Sequence, residues 1–593
     1  MSGFNKAAVF SDETRQFIKP YDPIPGETVR FCLRVAKGDE CEAALHIVPN
    51  ESDGAGASYP MKKTTADEIF DYFTVNIQIN SKPTRYYYSC TFEGQTFFYN
   101  KLGLREFLDR HYNFRMVPGL RVPEWAKGAV MYQIFIDRFF NGDKTNDVRN
   151  HEYAYLGKTA LAPEWEKDIA VQGDFCNFYG GDLLGIMQKL GYLQELGVQA
   201  IYLNPINVSP SSHKYDIQDY DYIDPHFGVI CEDGGDVLRF ENVNNKFATK
   251  YKIRTTSKKN LEASNALFAE FVARAHEHGI KIIMDGVFNH CGCFNKWMDA
   301  AGFYRDSGEP DGAYHSKESP YHNYFLWHQS GTWPDNYDAW WANSNHPKLC
   351  FENSRELFDY ILKIGKKWVS PPYNCDGWRL DVGADLGMSP EMNHKFWGEF
   401  HDAVKTANPN AIILAEHYGD PSPWLNGREW DTIMNYDAFM VPLTWFLTGV
   451  CKHSEESRPH LQNDAMAFEG AMRHHMALFN VHALHTSMNQ LSNHDHSRFL
   501  TRTNGHTGRL HTVGARAAER DLNKNILMEA VVFQMTWPGA PTIYYGDEAG
   551  LAGWTDPDNR RVFPWGNEDE TLLELHKKMI ALRKEYSALR GGS

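Results

Sequence analysis

Hydrophobic and polar residues alternate along the first part of the chain, up to about residue 112. The clearest alternating runs are TVRFCLRVA (28–36), EAALHIV (42–48), YFTVNIQI (72–79) and RYYYSCTF (85–92). Clusters of Pro, Gly, Asp and Ser separate them, which is typical of short strands joined by turns. The pattern predicts an antiparallel β-sandwich domain over residues 1–112.

From residue 125 onward the pattern changes to short apolar runs that alternate with helical periodicity, as in LEASNALFAEFVARAHEHG (261–279). The runs are WAKGAVMYQIFIDRF (125–139), QAIYLNPI (199–206), KIIMDGVF (281–288), GWRLDVG (377–383), AIILAEH (411–417), DTIMNY (431–436), the run to LSNHD (491–495) and APTIYYGDE (540–548). Eight buried strands alternating with helices predict an α/β fold, a (β/α)₈ TIM barrel with a parallel core.

Two stretches interrupt this barrel pattern. Residues 291–350 follow the third predicted strand, are rich in Gly, Pro, Trp, Asn and His, and are too long for a plain loop. Residues 229–259 form a stretch rich in polar and charged residues. We interpret the first as a small inserted domain and the second as a flexible surface insertion, with a lid over the substrate as the alternative. The predicted barrel segments are then 113–290 and 351–593.

Composition narrows the class of protein. The chain has 593 residues, 42% of them hydrophobic, and a formal net charge of −16, which argues against nucleic acid or an anionic membrane as a partner. It lacks an apolar run long enough to span a membrane, and its start does not resemble a signal peptide. Ten cysteines without CxxC pairs indicate reduced thiols and a cytoplasmic protein, although the CxC of Cys291 and Cys293 leaves a metal site open.

Three carboxylates, Asp381, Glu416 and Asp495, each stand at the end of a predicted strand. In a parallel barrel the chemistry lies at these ends, although an isolated Asp there is more often a helix cap or loop residue. Arg379 lies on the same side of its strand as Asp381 and can hold that carboxylate ionised. Cleavage of a glycosidic bond needs one ionised and one protonated carboxyl group, so this pattern favours a glycosidase.

Six ordered motifs resemble the α-amylase family, glycoside hydrolase family 13, over roughly residues 115–591. They are IYLNPINVSPSSHKYD (201–216), DGVFNH (285–290), GWRLDVGAD (377–385), LAEH (414–417), LSNHD (491–495) and GAPTIYYGDEAGLAGWTDPDNRR (539–561). HKYD, the run to DPHFG at 228, PKLCFEN (347–353) and TDPDNRR are similar to the neopullulanase, cyclomaltodextrinase and maltogenic amylase group. The group usually has other residues at 383–385, 350, 417 and 418, near the acceptor side.

The resemblance implies a role for each matching residue. Asp381 would be the nucleophile, Glu416 the acid/base and Asp495 the third carboxylate, which distorts the sugar. The residues implied in substrate binding are Tyr215, His290, Arg379, His494, Asp556 and Arg560. Asp556 and Arg560 would close the non-reducing side of the cleft, unless they form a surface salt bridge without function.

A cluster of hard oxygen ligands indicates a calcium site. The residues are Asn141, Asp143, Asn146 and Asp147 in FNGDKTND (140–147), with Gly180 and Asp182. Such residues are also common turn formers, so spacing alone leaves both interpretations open. The resemblance to the calcium loop of neopullulanase-like enzymes implies a structural Ca²⁺.

The resemblance also implies the wider organisation and the activity. Residues 291–350 would be the family's B domain, and 1–112 would resemble a family 34 carbohydrate-binding module, either sugar-binding or purely structural. The usual C-terminal β domain is expected to be absent, and a homodimer is a possible assembly. We expect a retaining hydrolase of α-1,4 bonds in maltooligosaccharides or cyclodextrins, and of pullulan or starch. The alternatives are an α-1,6-glucosidase, a glucanotransferase, or an inactive glucan-binding protein.

Overall fold

The computed structural model describes residues 4–49, 56–165, 174–240, 242–305 and 307–592. Its N-terminal domain consists of two antiparallel sheets packed face to face, as the alternating runs predict. In spatial order the first sheet holds Ile18–Lys19, Thr28–Ala36, Phe70–Gln78 and Lys62–Ala66, and the second holds Ala57–Pro60, Glu42–Pro49, Thr84–Phe92, Gln95–Asn100 and Gly103–Arg105.

The core of this domain follows from the period of two. Phe31 and Leu33 from the first sheet and Tyr86 and Tyr88 from the second are buried in one apolar cluster. The strand Phe114–Met116 still pairs with Thr84–Phe92, so the domain extends beyond the predicted boundary at residue 112.

The second domain is a barrel of eight strands, which confirms the predicted fold class. The strands are Met131–Ile134, Ala200–Leu203, Lys281–Gly286, Gly377–Leu380, Ile412–Ala415, Thr432–Ile433, Met488–Gln490 and Ala540–Tyr544, called here the first to eighth barrel strands. The first six strands pair in parallel in chain order, the seventh pairs with the eighth, and the eighth pairs with the first. A parallel bridge between Met434 and Met488 closes the ring between the sixth and seventh strands.

The longer helices pack around the barrel through buried apolar residues. In Arg355–Trp368 the buried residues Leu357, Ile361 and Ile364 recur at helical spacing, and the Ser354 hydroxyl accepts a hydrogen bond from the Leu357 N–H. A cap of this kind stabilises a helix by about 1 kcal/mol. The α-helices are Leu183–Gln188, Leu190–Leu196, Thr249–Thr256, Lys258–Glu277, Arg355–Trp368, Pro390–Ala407, Val441–Thr448, Ala465–Met476, Val481–Thr486, Phe499–Arg502, Leu510–Val513, Lys524–Thr536, Glu570–Glu585 and Ala588–Gly591.

The stretch 291–350 forms the predicted small domain beside the end of the third barrel strand. Within its described residues it is held by isolated β-bridges, among them His290 to Lys348 and Phe325 to Leu349. The fully buried Trp297 packs edge-on against Tyr324. The domain thus lies on the side of the barrel where the carboxylates are.

The insertion at 229–259, apart from residue 241, which lies outside the described residues, differs from the expected flexible loop. It contains the helix Thr249–Thr256, in which Tyr251 and Arg254 are fully buried. Asn245 exchanges two hydrogen bonds with the backbone of Ala154, in the hairpin of Ala154–Tyr155 and Lys158–Thr159. The segment is therefore packed into the protein through both apolar and polar side chains.

Three further expectations concern the whole chain. No helix within the described ranges is long and apolar enough to cross a membrane. The ten cysteines are free, and Cys291 is buried next to the partly exposed Cys293. The eighth barrel strand is the last strand of the described residues, and the helices Glu570–Glu585 and Ala588–Gly591 follow it.

Candidate active site

The barrel ladder positions two of the three predicted catalytic carboxylates. The N–H of Asp381, just after the fourth barrel strand, donates to the carbonyl of Gly286 at 3.0 Å. The N–H of Glu416, just after the fifth, donates to the carbonyl of Leu380 at 2.8 Å. The sheet pairing therefore continues one residue past each strand and fixes the backbone of both acids on adjacent strands.

Arg379 lies beneath these acids and binds three carboxylates. Its guanidinium donates from one terminal nitrogen to Asp381 Oδ1 at 3.0 Å and to Asp285 Oδ1 at 3.1 Å, and from the other to Glu416 Oε2 at 2.7 Å. Arg379 is fully buried and lies outside the cavity lining. It was predicted among the substrate-binding residues, but in the structure it holds the acids and does not face the cavity.

The charges of this group do not balance if every acid is ionised, because three carboxylates surround one guanidinium. Burial raises the pKa of Asp381 well above its usual range; Arg379 acts against this, and the charges of Glu416 and Asp285 add to it. The group therefore retains a proton at a pH at which isolated carboxyl groups have lost theirs. A nucleophile must be ionised, so the raised pKa of Asp381 places the loss of its proton at a higher pH than for an isolated aspartate.

A second hydrogen-bond network holds the polar floor of the cavity. Gln133 Nε2 donates to His494 Nδ1 at 2.9 Å, so the neutral imidazole carries its proton on Nε2. That Nε2–H points at Tyr215 Oη at 2.6 Å, and the Tyr215 hydroxyl donates to Asp285 Oδ2 at 2.9 Å. Burial, with Arg379 nearby, lowers the pKa of His494 well below its usual value. His494 is therefore a neutral hydrogen-bond donor.

Above these residues lies a cavity of about 520 Å³, within the range of small-molecule sites. The predicted residues that line it are Tyr215, His290, Asp381, Glu416, His494, Asp495, Asp556 and Arg560. Arg560 lies 3.7 Å from both Asp495 Oδ1 and Asp556 Oδ2 and donates to the His494 carbonyl. Asp556 and Arg560 thus form an ion pair in the cavity wall, and not on a remote surface.

Other lining residues were not singled out from the sequence. Lys158, Phe175, His213, Trp340, Val382, His346 and Pro557 also face the cavity. His213 and Val382 lie inside matched motifs, which is a signal that could have identified them. Trp340 comes from the small domain, stacks on His290 with ring centroids 5.1 Å apart, and donates to Asp385 Oδ2 at 3.0 Å. None of the described residues of 229–259 lines the cavity, so the lid interpretation finds no support there.

Val382 has a strained backbone next to Asp381. Its φ of 39° and ψ of 48° lie in the left-handed region, which is rare for a β-branched residue. In this conformation its N–H donates to Glu416 Oε2 at 3.2 Å. Strain of this kind costs about 1–3 kcal/mol and is common at functional sites. Here it accompanies a backbone hydrogen bond to the predicted acid.

The six residues predicted to bind calcium lie together. Asn141 Nδ2 donates to Asp147 Oδ1 at 2.8 Å, and Asp182 accepts from the N–H of Asp143 and from Asn146 Nδ2. A Cβ added at Gly180 would lie 2.4 Å from Asp147 Oδ1, so this backbone passes closely over the loop.

The donor atoms at this cluster fit a hard cation. The Oδ1 atoms of Asn141 and Asn146 are buried without a hydrogen-bond partner, and burial raises the pKa of Asp147 and of Asp182 to about 6. Within the described residues, no group of three or more His, Cys, Asp or Glu side chains surrounds one metal position. A cation here would therefore need amide and backbone oxygens as well as carboxylates, which Ca²⁺ accepts.

Comparison with known proteins defines the class. The sequence profile "Alpha amylase, catalytic domain" matches residues 133–234 and 263–565, and "Alpha amylase, N-terminal ig-like domain" matches residues 4–117. The chain belongs to the α-amylase family and is a glycoside hydrolase.

Individual relatives show which members of the family the chain is similar to. The chain is 33% identical to a cyclomaltodextrinase of Thermoanaerobacter pseudethanolicus, covering 90% of this chain and 78% of that one. It is 33% identical to neopullulanase 2 of Thermoactinomyces vulgaris, covering 96% and 83%. A solved cyclomaltodextrinase structure matches with a TM-score of 0.63 and 26% identity, over 98% of this chain and 85% of that one.

Proposed function

We propose that this enzyme is a retaining hydrolase of α-1,4-glucosidic bonds in maltooligosaccharides and cyclodextrins, with pullulan and starch as poorer substrates. The coarser activity, hydrolysis of α-glucans, accords with the names of the relatives. The observation that carries the proposal is that Asp381 and Glu416 bind the same buried guanidinium at the floor of one cavity.

In the first half of the proposed reaction, an oxygen of Asp381 attacks the anomeric carbon of the bound sugar. The bond from that carbon to the glycosidic oxygen breaks, and Glu416 gives its proton to the leaving oxygen. In the second half, a water molecule attacks the same carbon while Glu416 takes a proton from that water, and the ester bond to Asp381 breaks. Two inversions at one carbon leave the anomeric configuration retained.

The remaining residues would bind the sugar next to the broken bond. Asp495 lines the cavity and is about a third exposed, so its carboxylate is available for sugar hydroxyls. The neutral His494 has a single Nε2–H, which would turn from Tyr215 to a sugar hydroxyl when substrate binds. The Asp556–Arg560 pair lies beside Asp495 and would limit the length of chain that fits on this side.

A structural calcium ion completes the proposal. Asn141, Asp143, Asn146, Asp147, the carbonyl of Gly180 and Asp182 would hold it. The two unpaired amide oxygens of Asn141 and Asn146 support this assignment. The ion would supply charge neutralisation between the loop 140–147 and the start of the helix Leu183–Gln188, which Asp182 caps.

The test is a product profile on β-cyclodextrin, maltoheptaose, pullulan and soluble starch, with the anomers of the first products followed by proton NMR. We expect fast cleavage of cyclodextrin and maltoheptaose, slow attack on starch, and α-configured products. Starch as the best substrate would indicate an open cleft, and β-configured products would exclude the proposed covalent route.

The roles of the two acids are tested by substitution. D381N and E416Q each remove an ionisable group without a large change in volume, and each should lower kcat by about 10³-fold or more because each group acts in the reaction itself. Circular dichroism and thermal unfolding should match those of the wild type. A folded variant with near-normal turnover would refute the role assigned to that residue.

A further inference from the structure

The inserted segment is joined to the cavity by a row of buried charges. Arg254, on the helix Thr249–Thr256, donates from a terminal nitrogen to Glu152 Oε2 at 2.9 Å. Glu152 Oε1 lies 2.9 Å from His226 Nε2. The side chains of Arg254 and Glu152 are both fully buried, so this ion pair is not a surface contact.

The row continues from His226 to the cavity loop. His226 Nδ1 lies 2.8 Å from Asp224 Oδ1, and Lys214 Nζ donates to Asp224 Oδ2 at 2.7 Å. Because both ring nitrogens of His226 face carboxylates, the imidazole is in its protonated form. Burial opposes that charge, but the two carboxylates outweigh it and the pKa of His226 is raised. The five charges of Arg254, Glu152, His226, Asp224 and Lys214, called here the buried charge row, alternate in sign.

The far end of the row holds a strained piece of the cavity wall. Lys214 has a φ of 63°, in the left-handed region, and its side chain is almost fully buried. Its neighbours His213 and Tyr215 both line the cavity. Lys214 Nζ also donates to the carbonyl of Ser209 at 3.0 Å. The fixed ammonium therefore anchors the stretch of backbone that carries these two side chains.

The near end of the row comes from a part of the chain outside the family profile, which leaves residues 235–262 unmatched. Within the segment, Asp233 accepts from two nitrogens of Arg254, both at 2.9 Å, and so holds the guanidinium toward Glu152. We propose that Arg254 is a positioning residue: through the buried charge row it fixes the loop 211–216, which carries His213 and Tyr215 into the cavity. The kinetic part of its test rests on the proposed glucan hydrolysis.

The test compares R254M with the matched control K250M. Lys250 lies on the same helix and binds the same Asp233 at 2.8 Å, so K250M also removes one positive charge but leaves the pair of Arg254 and Glu152 intact. Hydrogen–deuterium exchange of residues 209–217 reports on the loop without any substrate. In R254M we expect exchange about tenfold faster there and a KM for maltoheptaose raised about fivefold, because the buried Glu152 carboxylate loses one of its two charged partners. K250M should stay within about twofold of the wild type, and R254K should recover most of the loss.

A second contact of Arg254 offers a different explanation for any effect of R254M. It also donates to the carbonyl of Asp147 at 2.9 Å, in the loop proposed to bind calcium. Each measurement is therefore repeated with excess calcium. Recovery of R254M by calcium would mean that the effect passes through that loop and would overturn the proposal. Unchanged exchange and kinetics in folded R254M would also overturn it.

The role of Arg254 can still be tested if R254M does not fold or if the wild-type protein is inactive. If R254M does not fold, E152Q interrupts the same row while keeping its size, and the same exchange pattern is expected. If the wild-type protein cleaves no glucan, the proposed function fails, whereas exchange at residues 209–217 still decides the role of Arg254.

Discussion

At the scale of single residues, Asp285 belongs to the same charged group as the two acids Asp381 and Glu416. It is fully buried at the side-chain level, shares Arg379 with Asp381, and accepts from the hydroxyls of Tyr202 and Tyr215. Its negative charge is one cause of the raised pKa of Asp381. Asp285 therefore acts on the nucleophile by charge, through a guanidinium that both carboxylates contact.

This leads to a prediction on pH dependence. Asp381 must be ionised to attack, and its pKa is raised. As the pH decreases, kcat/KM should therefore begin to fall at a pH above about 4, the usual pKa of an aspartate. D285N removes a neighbouring negative charge, so this acid limb should move to lower pH, by about one unit. The measurement is kcat/KM on maltoheptaose against pH. D376N, at the opposite end of the barrel strands, should leave the limb in place; an upward shift in D285N would contradict the argument.

At the scale of elements, the calcium loop gives a prediction of stability. If Asn146 and its neighbours bind Ca²⁺ in the folded state, removing the ion with EDTA should lower Tm by about 5 °C, since a ligand that binds the folded form stabilises it. N146A should lose this dependence on calcium because one unpaired amide oxygen is removed. N80A, in a turn of the N-terminal domain, should keep it. Equal Tm values with EDTA and with calcium would refute the proposed calcium site.

Elements differ in how well the sequence predicts them. The barrel strands were predictable because each is a short apolar run buried on both faces, and Asp381 and Glu416 because they follow such runs directly. The helix Thr249–Thr256 was not, because its buried residues include the charged Arg254 and do not form a continuous apolar stripe. Its partner Glu152 lies 102 residues away along the chain, so no local pattern reveals that the arginine is buried. Trp340 was missed for a similar reason, since its place in the cavity depends on the path of the small domain.

At the scale of the whole molecule, two cations of the N-terminal domain, the buried Arg115 and the partly buried Lys101, form hydrogen bonds across the seam between the domains. Arg115 of the N-terminal domain donates to the carbonyl of Ala477 at 2.9 Å, and Lys101 donates to the carbonyl of Phe479 at 2.8 Å. Lys101 also pairs with Glu13 at 3.1 Å. Both cations contact the segment just after the helix Ala465–Met476. Because carbonyls at the end of a barrel helix are satisfied by the other domain, unfolding one domain exposes polar groups of the other.

We therefore expect the two domains to unfold together. Calorimetry of the wild-type protein should give one transition, whereas R115M should give two, or one that is clearly broadened, because the Ala477 carbonyl loses its donor at the seam. K62M is the matched control, since Lys62 lies exposed on a strand of the same domain away from this contact. Two transitions already present in the wild type would show that the domains are independent, and an R115M trace identical to that of the wild type would show that Arg115 does not couple them. The coupling matters for function because the seam lies against the chain that leads, through Val481–Thr486 and the seventh barrel strand, to Asp495.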